Sequence, residues 1–172
     1  MTIYTIGHST RSAENFLDLL RAHAVRQVAD IRSIPASRRH PHFAREVMTE
    51  WLAAAGVSYR HFPALGGRRR PRPDSINTAV RHAGFRGYAD HMATEEFGEG
   101  AAALQGFAEA GLTTVMCAEA VWWQCHRRFL ADALLVGGVT VLHILSDAPP
   151  KSHELSDFGR ARNGTVIYPG LL

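Results

Sequence analysis

The chain has 172 residues, 46% of them hydrophobic and 20% charged, with a formal charge of +3 and a pI near 9.2. That composition suits one ordinary globular domain, able to bury roughly 70% of the surface its unfolded form exposes, and it excludes a disordered chain. No apolar run approaches the ~20 residues of a membrane span, the start lacks a signal-peptide pattern, and the expected location is the cytosol.

In chain order, 2-TIYTI-6 is rich in β-formers and breaks at Gly7. The stretch 12-SAENFLDLLRAHA-24 predicts a helix. Ser12 can cap it, and Phe16, Leu19, Leu20 and His23 recur at helical spacing. A second strand follows at 27-QVADIRS-33. Strand, helix and strand in that order make a βαβ unit with a parallel pair. The run 43-FAREVMTEWLAAAG-56 predicts a helix with Phe43, Val47, Trp51 and Leu52 buried and Gly56 as its stop. Strand three is 57-VSYRHF-62, followed by an irregular loop, 63-PALGGRRRPRPDS-75. Two or three short helices cover 76–109. Strand four is 112-LTTVMCAE-119, the next helix is 125-CHRRFLADALLVGG-138, and strand five is 139-VTVLHIL-145. The tail reads as loop, with a late strand at 165-TVIYP-169. The fold class is α/β: a single three-layer domain over residues 1–172, with a mainly parallel sheet of about five strands flanked by helices.

In an open parallel sheet the ligand binds beyond the carboxyl ends of the strands. Those ends are where the polar residues collect. Strand one is followed by Gly7, His8 and Ser9. Strand two delivers Asp30 and Arg32, then Ser37 and Arg38. Strand three delivers His61, then Gly66 and Gly67. Strand four ends in Cys117 and Glu119, and strand five carries His143. The segment 117-CAEAVWWQCHRR-128 is densest, holding both cysteines with Glu119, His126, Arg127 and Arg128. Cys125 and His126 open the following helix, whose N-terminus favours anions and lowers the pKa of a thiol placed there. Each residue also has an ordinary reading. A strand-end cysteine packs as a small hydrophobe, and the arginines can cover a solvated helix face.

Three function classes stay open. The first is an enzyme binding a small phosphate- or nucleotide-like anion, with Arg32, Arg38 and Arg127 holding it and Ser9 and Ser37 assisting. Cys117 or Cys125 would be its nucleophile or redox group, as in a cysteine-dependent transferase or hydrolase. Glu119, His8 and His126 are its acid–base candidates. The second is a nucleic-acid-binding module using 66-GGRRRPRP-73. The third is a Cys/His metal protein, although C-x7-C followed at once by His is not the C-x2-C spacing of a structural zinc site. Whether a cofactor takes part is left unknown by the sequence.

The segments 5-TIGHST-10, 28-VADIRSIPASRRHPHF-43, 65-LGGR-68, 88-YADHM-92, 116-MCAEAVWWQCHRR-128 and 143-HI-144 together resemble the domain-of-unknown-function 488 family of small bacterial and archaeal proteins. Cys117, Ala118, Glu119, Cys125, His126 and Arg127 match its Cys-Ala-Glu and Cys-His-Arg elements. Gly7, His8, Ser9, Asp30, Arg32, Pro35, Ser37 and Arg38 match as well. Trp122 and Trp123 fall in the variable loop. The resemblance implies the α/β fold and a pocket at these residues, and it leaves the reaction open.

Overall fold

The computed structural model describes residues 1–170. Five parallel strands form its sheet: β1 (Thr2–Gly7), β2 (Gln27–Asp30), β3 (Ser58–His61), β4 (Thr113–Cys117) and β5 (Thr140–His143). A two-residue strand, β6 (Lys151–Ser152), adds antiparallel to β5. The order across the sheet is β3-β2-β4-β1-β5-β6. The flanking helices are α1 (Ala13–Ala22), α2 (Arg45–Ala54), α3 (Ala83–His91), α4 (Glu95–Ala108) and α5 (Arg127–Val136). The expected α/β class is thus found. None of these helices is long and apolar enough to cross a membrane.

The central strands alternate between two apolar layers, as the two-residue period of a strand requires. Ile6, Val28, Met116 and Ile144 pack against Phe16 and Leu20 of α1 and Met48 and Leu52 of α2. Ile3, Ala29, Val115 and Val141 pack with Tyr88 of α3, Leu104 of α4 and Phe129 and Leu134 of α5. Both edges are short and carry a cation, Arg60 on β3 and Lys151 on β6, which discourages further strand pairing.

Two sequence expectations need correcting. Helix α2 starts at Arg45, because Phe43 belongs to a 3₁₀ turn over Pro41–Phe43. The later start puts Met48 and Leu52 inward at i and i+4 and leaves Val47 44% exposed. The late strand exists as β8 (Thr165–Ile167), but it leaves the main sheet and pairs with β7 (Arg160–Arg162). The turn between them has positive φ at Asn163 and Gly164, the conformation that suits a two-residue hairpin. The hairpin presses Tyr168 onto α5, where it is fully buried beside Phe129.

The strand order dictates what happens at the carboxyl edge. β1 and β4 are neighbours, yet β1 leads past β4 to β2, while β4 leads past β1 to β5. Right-handed crossovers put α1 and α5 on opposite faces, so the two connections cross where the strands end. They cross in backbone contact. The N–H of His8 donates to the Cys117 carbonyl and that of Ser9 to the Ala118 carbonyl, each at 2.9 Å. A Cβ on Gly7 would lie 1.7 Å from the Glu119 carbonyl oxygen. Both backbones are held, so neither can yield cheaply. We expect Gly7→Ala to destabilise the protein by about 3 kcal/mol. At this chain length that lowers Tm by roughly 6–12 °C in a thermal melt. A melt within 2 °C of wild type, or thereabouts, would show that the crossing is not rigid.

Candidate functional site

Beyond β2, Asp30 is fully buried and Arg32 is 6% exposed. The guanidinium is committed. Its Nε and Nη2 donate to the two Asp30 oxygens, the Nε bond at 2.9 Å, and Tyr59 donates its hydroxyl to the same carboxylate at 2.6 Å. Its Nη1 donates to the Phe43 carbonyl at 2.9 Å and points at His8 Nε2, 3.3 Å away. Burial opposes the Arg32 charge, and Asp30 more than restores it. Arg32, one of the three arginines expected to hold an anion, therefore reaches the site with its charge already compensated by Asp30.

His8 is held as tightly. It stacks on Phe43 with ring centroids 4.3 Å apart. Its Nδ1 donates to the Ser9 carbonyl at 3.0 Å, which leaves Nε2 to accept from Arg32. Burial, with the charge of Arg32, lowers its pKa to about 4. The imidazole therefore stands in the cavity wall with both nitrogens engaged and its protonated form disfavoured.

The thiols come together across the loop between β4 and α5. Cys117 closes β4 in register with Gly7. The chain then passes through a 3₁₀ turn at Trp122–Gln124 and returns Cys125 to within 2.7 Å of Cys117, sulfur to sulfur. Both thiols are free, and both residues are almost wholly buried. Cys125 is served by two further groups. His126 Nδ1 lies 3.4 Å from its sulfur, and the N–H of Arg127, in the first turn of α5, donates to it at 3.5 Å. His126 Nε2 lies 3.1 Å from the Ile31 carbonyl. That acceptor fixes the proton on Nε2 and turns Nδ1 toward the thiol. The imidazole is also packed in place. Tyr88 meets its ring at 5.1 Å, and a Cβ on Gly67 would come 2.5 Å from Nδ1, so the glycine makes room for it.

The two sulfurs differ in acidity. Burial raises the Cys117 thiol well above the usual range, and its bond to Cys125 raises it further. Burial pushes Cys125 the same way. The bonds from Cys117 and His126, with the charges of His126 and Arg127, outweigh it and leave Cys125 well below the usual range. Cys125 is thus the more acidic thiol of the pair.

Arg127 acts from behind the wall. It is 1% exposed, its Nη2 donates to the Glu119 and Ala120 carbonyls, and its Nε has no partner. It grips the crossing loop, and no carboxylate pairs with it among the described residues. Arg11 closes the other side, donating to the Gly7 and Leu145 carbonyls.

These groups surround a cavity of about 350 Å³. His8, Arg32, Ser37, Cys117, Glu119, Cys125 and His126 line it. Ser9, Arg38 and Arg127 do not, contrary to expectation. Ser9 contributes backbone only, in a left-handed conformation with φ 47°, and Arg38 points to solvent. Glu119 stands exposed at the rim. Ser33, Ile34 and Arg68 complete the wall. Arg68 was legible only as part of an arginine run. Within that run Arg69 bonds Glu96 and the Ala64 carbonyl, and Arg72 pairs with Asp74 at 2.9 Å.

His143 is drawn elsewhere. It sits in a buried chain of hydrogen bonds from Thr5 through His143 and His153 to Asp132, which also accepts from Tyr168. Trp122 stacks flat on its ring at 4.1 Å. His153, Asp132 and Tyr168 carry no local sequence signal, because each meets the others only through the tail. Burial, then His153 and Arg127, lower the His143 pKa to about 3. The cluster pins the tail to α5. Among the described residues, no group of three or more His, Cys, Asp or Glu side chains is disposed to hold a metal ion.

Comparison with known proteins agrees with the resemblance in the site motifs. No curated protein and no solved structure matches the chain. A family model, Domain of unknown function DUF488, matches residues 12–134. Because that span runs from the cap of α1 into the last turn of α5 and takes in both cysteines with His126, the chain belongs to the DUF488 family.

Proposed function

We propose that the protein is a thiol-dependent enzyme in which Cys125 attacks an electrophilic centre of a small anionic substrate held in the cavity. One observation carries the reading. Cys125 combines an imidazole oriented by a backbone carbonyl, a helix-start N–H and a buried guanidinium without a carboxylate. A weak nucleophile becomes a good one when an adjacent base and local positive charge favour its anion, with a third group orienting the base. Here the base is His126 and the orienting group is the Ile31 carbonyl.

The other roles follow from position. Among the described residues, Arg68 is the cation at the wall whose side chain is not taken up by a carboxylate, so it meets the substrate's anionic group. The N-terminus of α5 adds its dipole. Arg127 is a positioning residue, acting through the carbonyls of the crossing loop. Glu119, at the rim, is placed to exchange a proton with a leaving or attacking group. Ile34, Ala36 and Ala118 supply the apolar remainder. The volume suits a ligand at the small end of the usual 300–1,000 Å³ range.

Two experiments test this reading. The first is alkylation by iodoacetamide as a function of pH, with the modified residue identified by mass spectrometry. Cys125 reacts first, and its rate is already high at neutral pH. The rate falls as pH drops through a midpoint below the ordinary thiol value of about 8.5, because the thiolate then protonates. His126→Ala moves that midpoint upward. A midpoint at or above about 8.5 in wild type would remove Cys125 as an activated nucleophile.

The second is thermal stabilisation by inorganic phosphate. At a concentration a hundredfold above its Kd, phosphate adds about 2.7 kcal/mol. That is roughly 5–10 °C in Tm for a chain of this size. Arg68→Ala loses most of the rise. An equal rise in Arg68→Ala would take the anion away from this wall.

A further inference from the structure

The geometry points to thiol–disulfide exchange as the reaction of this site. Cys125 is the attacking thiol, Cys117 the resolving thiol, and a small disulfide bearing a carboxylate the substrate. This rests on the proposed role of Cys125 and names the electrophile it attacks.

A group-transfer mechanism would leave one of the two thiols unused. Transfer of an acyl or phosphoryl group through Cys125 needs one sulfur and one base. The site has a second sulfur 2.7 Å from the first. Among the described residues, the only other side-chain bond of Cys117 is a long one of 3.9 Å to the Glu119 carbonyl. It is held by the sheet, since β4 pairs with β1 on one side and β2 on the other. Cys125 is held by the start of α5. Neither backbone needs to travel, because a covalent S–S bond spans about 2.05 Å and closing the pair is a sub-ångström movement. Both sulfurs face the same cavity, so a group joined to Cys125 is within reach of Cys117.

The pair is also unequal in the sense that exchange requires. Exchange proceeds by thiolate attack on a disulfide sulfur through a mixed disulfide. His126 and the Arg127 N–H serve Cys125 alone. Cys117 retains its proton until a leaving thiolate is present to take it.

The steps balance. The Cys125 thiolate attacks one sulfur of the substrate R–S–S–R. A Cys125–S–S–R bond forms, the substrate S–S bond breaks, and R–S⁻ leaves with the proton held by His126. Cys117 then attacks the Cys125 sulfur. The intramolecular S–S bond forms, the mixed disulfide breaks, and the second R–S⁻ departs with the Cys117 proton. The substrate gains two electrons and becomes two thiols, while the protein dithiol loses two and becomes a disulfide. A dithiol reductant returns the pair to its starting state. The carboxylate of the substrate meets Arg68 and the N-terminus of α5.

The test uses the whole reduced protein with dithiodiglycolate, a disulfide with a carboxylate at each end, and bis(2-hydroxyethyl) disulfide as its neutral counterpart. Intact mass and released thiol are both followed. Wild type is expected to release two mercaptoacetates per chain and lose two hydrogens. Cys117→Ser is expected to stop after one, keeping mercaptoacetate on Cys125 as a mixed disulfide. Cys125→Ser is expected to react at least tenfold more slowly. A wild-type protein that accumulates a stable mixed disulfide would overturn the assignment without reliance on any variant. So would a Cys117→Ser protein that releases two thiols as wild type does. Fast alkylation of Cys125 with no disulfide exchange would leave the nucleophile standing and overturn this inference alone. Equal rates with the neutral disulfide would remove the carboxylate from the substrate class.

Discussion

The site depends on a crossing of two backbones. Strands β1 and β4 lie side by side while their chains depart toward opposite edges of the sheet. The two departing segments must pass each other at contact distance, and only a residue without a Cβ fits at position 7. That passage brings His8 beside Cys117 and holds the Glu119 carbonyl where Arg127 can reach it. Residues 110 positions apart in the chain become neighbours through the same contact.

Charge compensation is unequal across the site, and the inequality is chemically useful. Arg32 meets a buried carboxylate in a bidentate pair, so its field largely cancels. Arg127 is as deeply buried but is offered only carbonyl oxygens. A buried cation without a counter-ion is costly, and an anion nearby offsets part of that cost. The Cys125 sulfur is placed to become that anion. In a low-dielectric interior such a field acts with little screening, which helps hold Cys125 below the usual thiol range while burial keeps Cys117 above it.

The tail contributes at a distance. Asp132, near the middle of α5, accepts from His153, from Tyr168 and from the Ser156 backbone. Burying a carboxylate this completely is tolerable only because both of its oxygens find donors. The outcome is a helix fixed in rotation, with its first turn aimed at the cavity. Trp122, stacked on His143, anchors the loop that carries Cys125 inward.

The alternation of strands and amphipathic helices is a local property. Hydrophobic periodicity and glycine breaks were therefore enough to establish an α/β fold and to put the candidate site residues at strand ends. They also marked Cys117, Cys125 and His126 as a set, because these three are near neighbours in the chain. Strand order is not local. Nothing in the periodicity distinguishes β4 between β2 and β1 from β4 at an edge, and that choice decides that Gly7 meets Glu119. Which arginine is free is likewise a tertiary matter, since Arg32, Arg69 and Arg72 are neutralised by partners that only folding supplies. The amino-acid sequence by itself determined the fold class and the reactive groups. The tertiary structure alone decided which sulfur is the more acidic, which imidazole lies against it and which arginines are neutralised by a carboxylate, because burial and pairing set those properties and both are made by contacts distant in the chain.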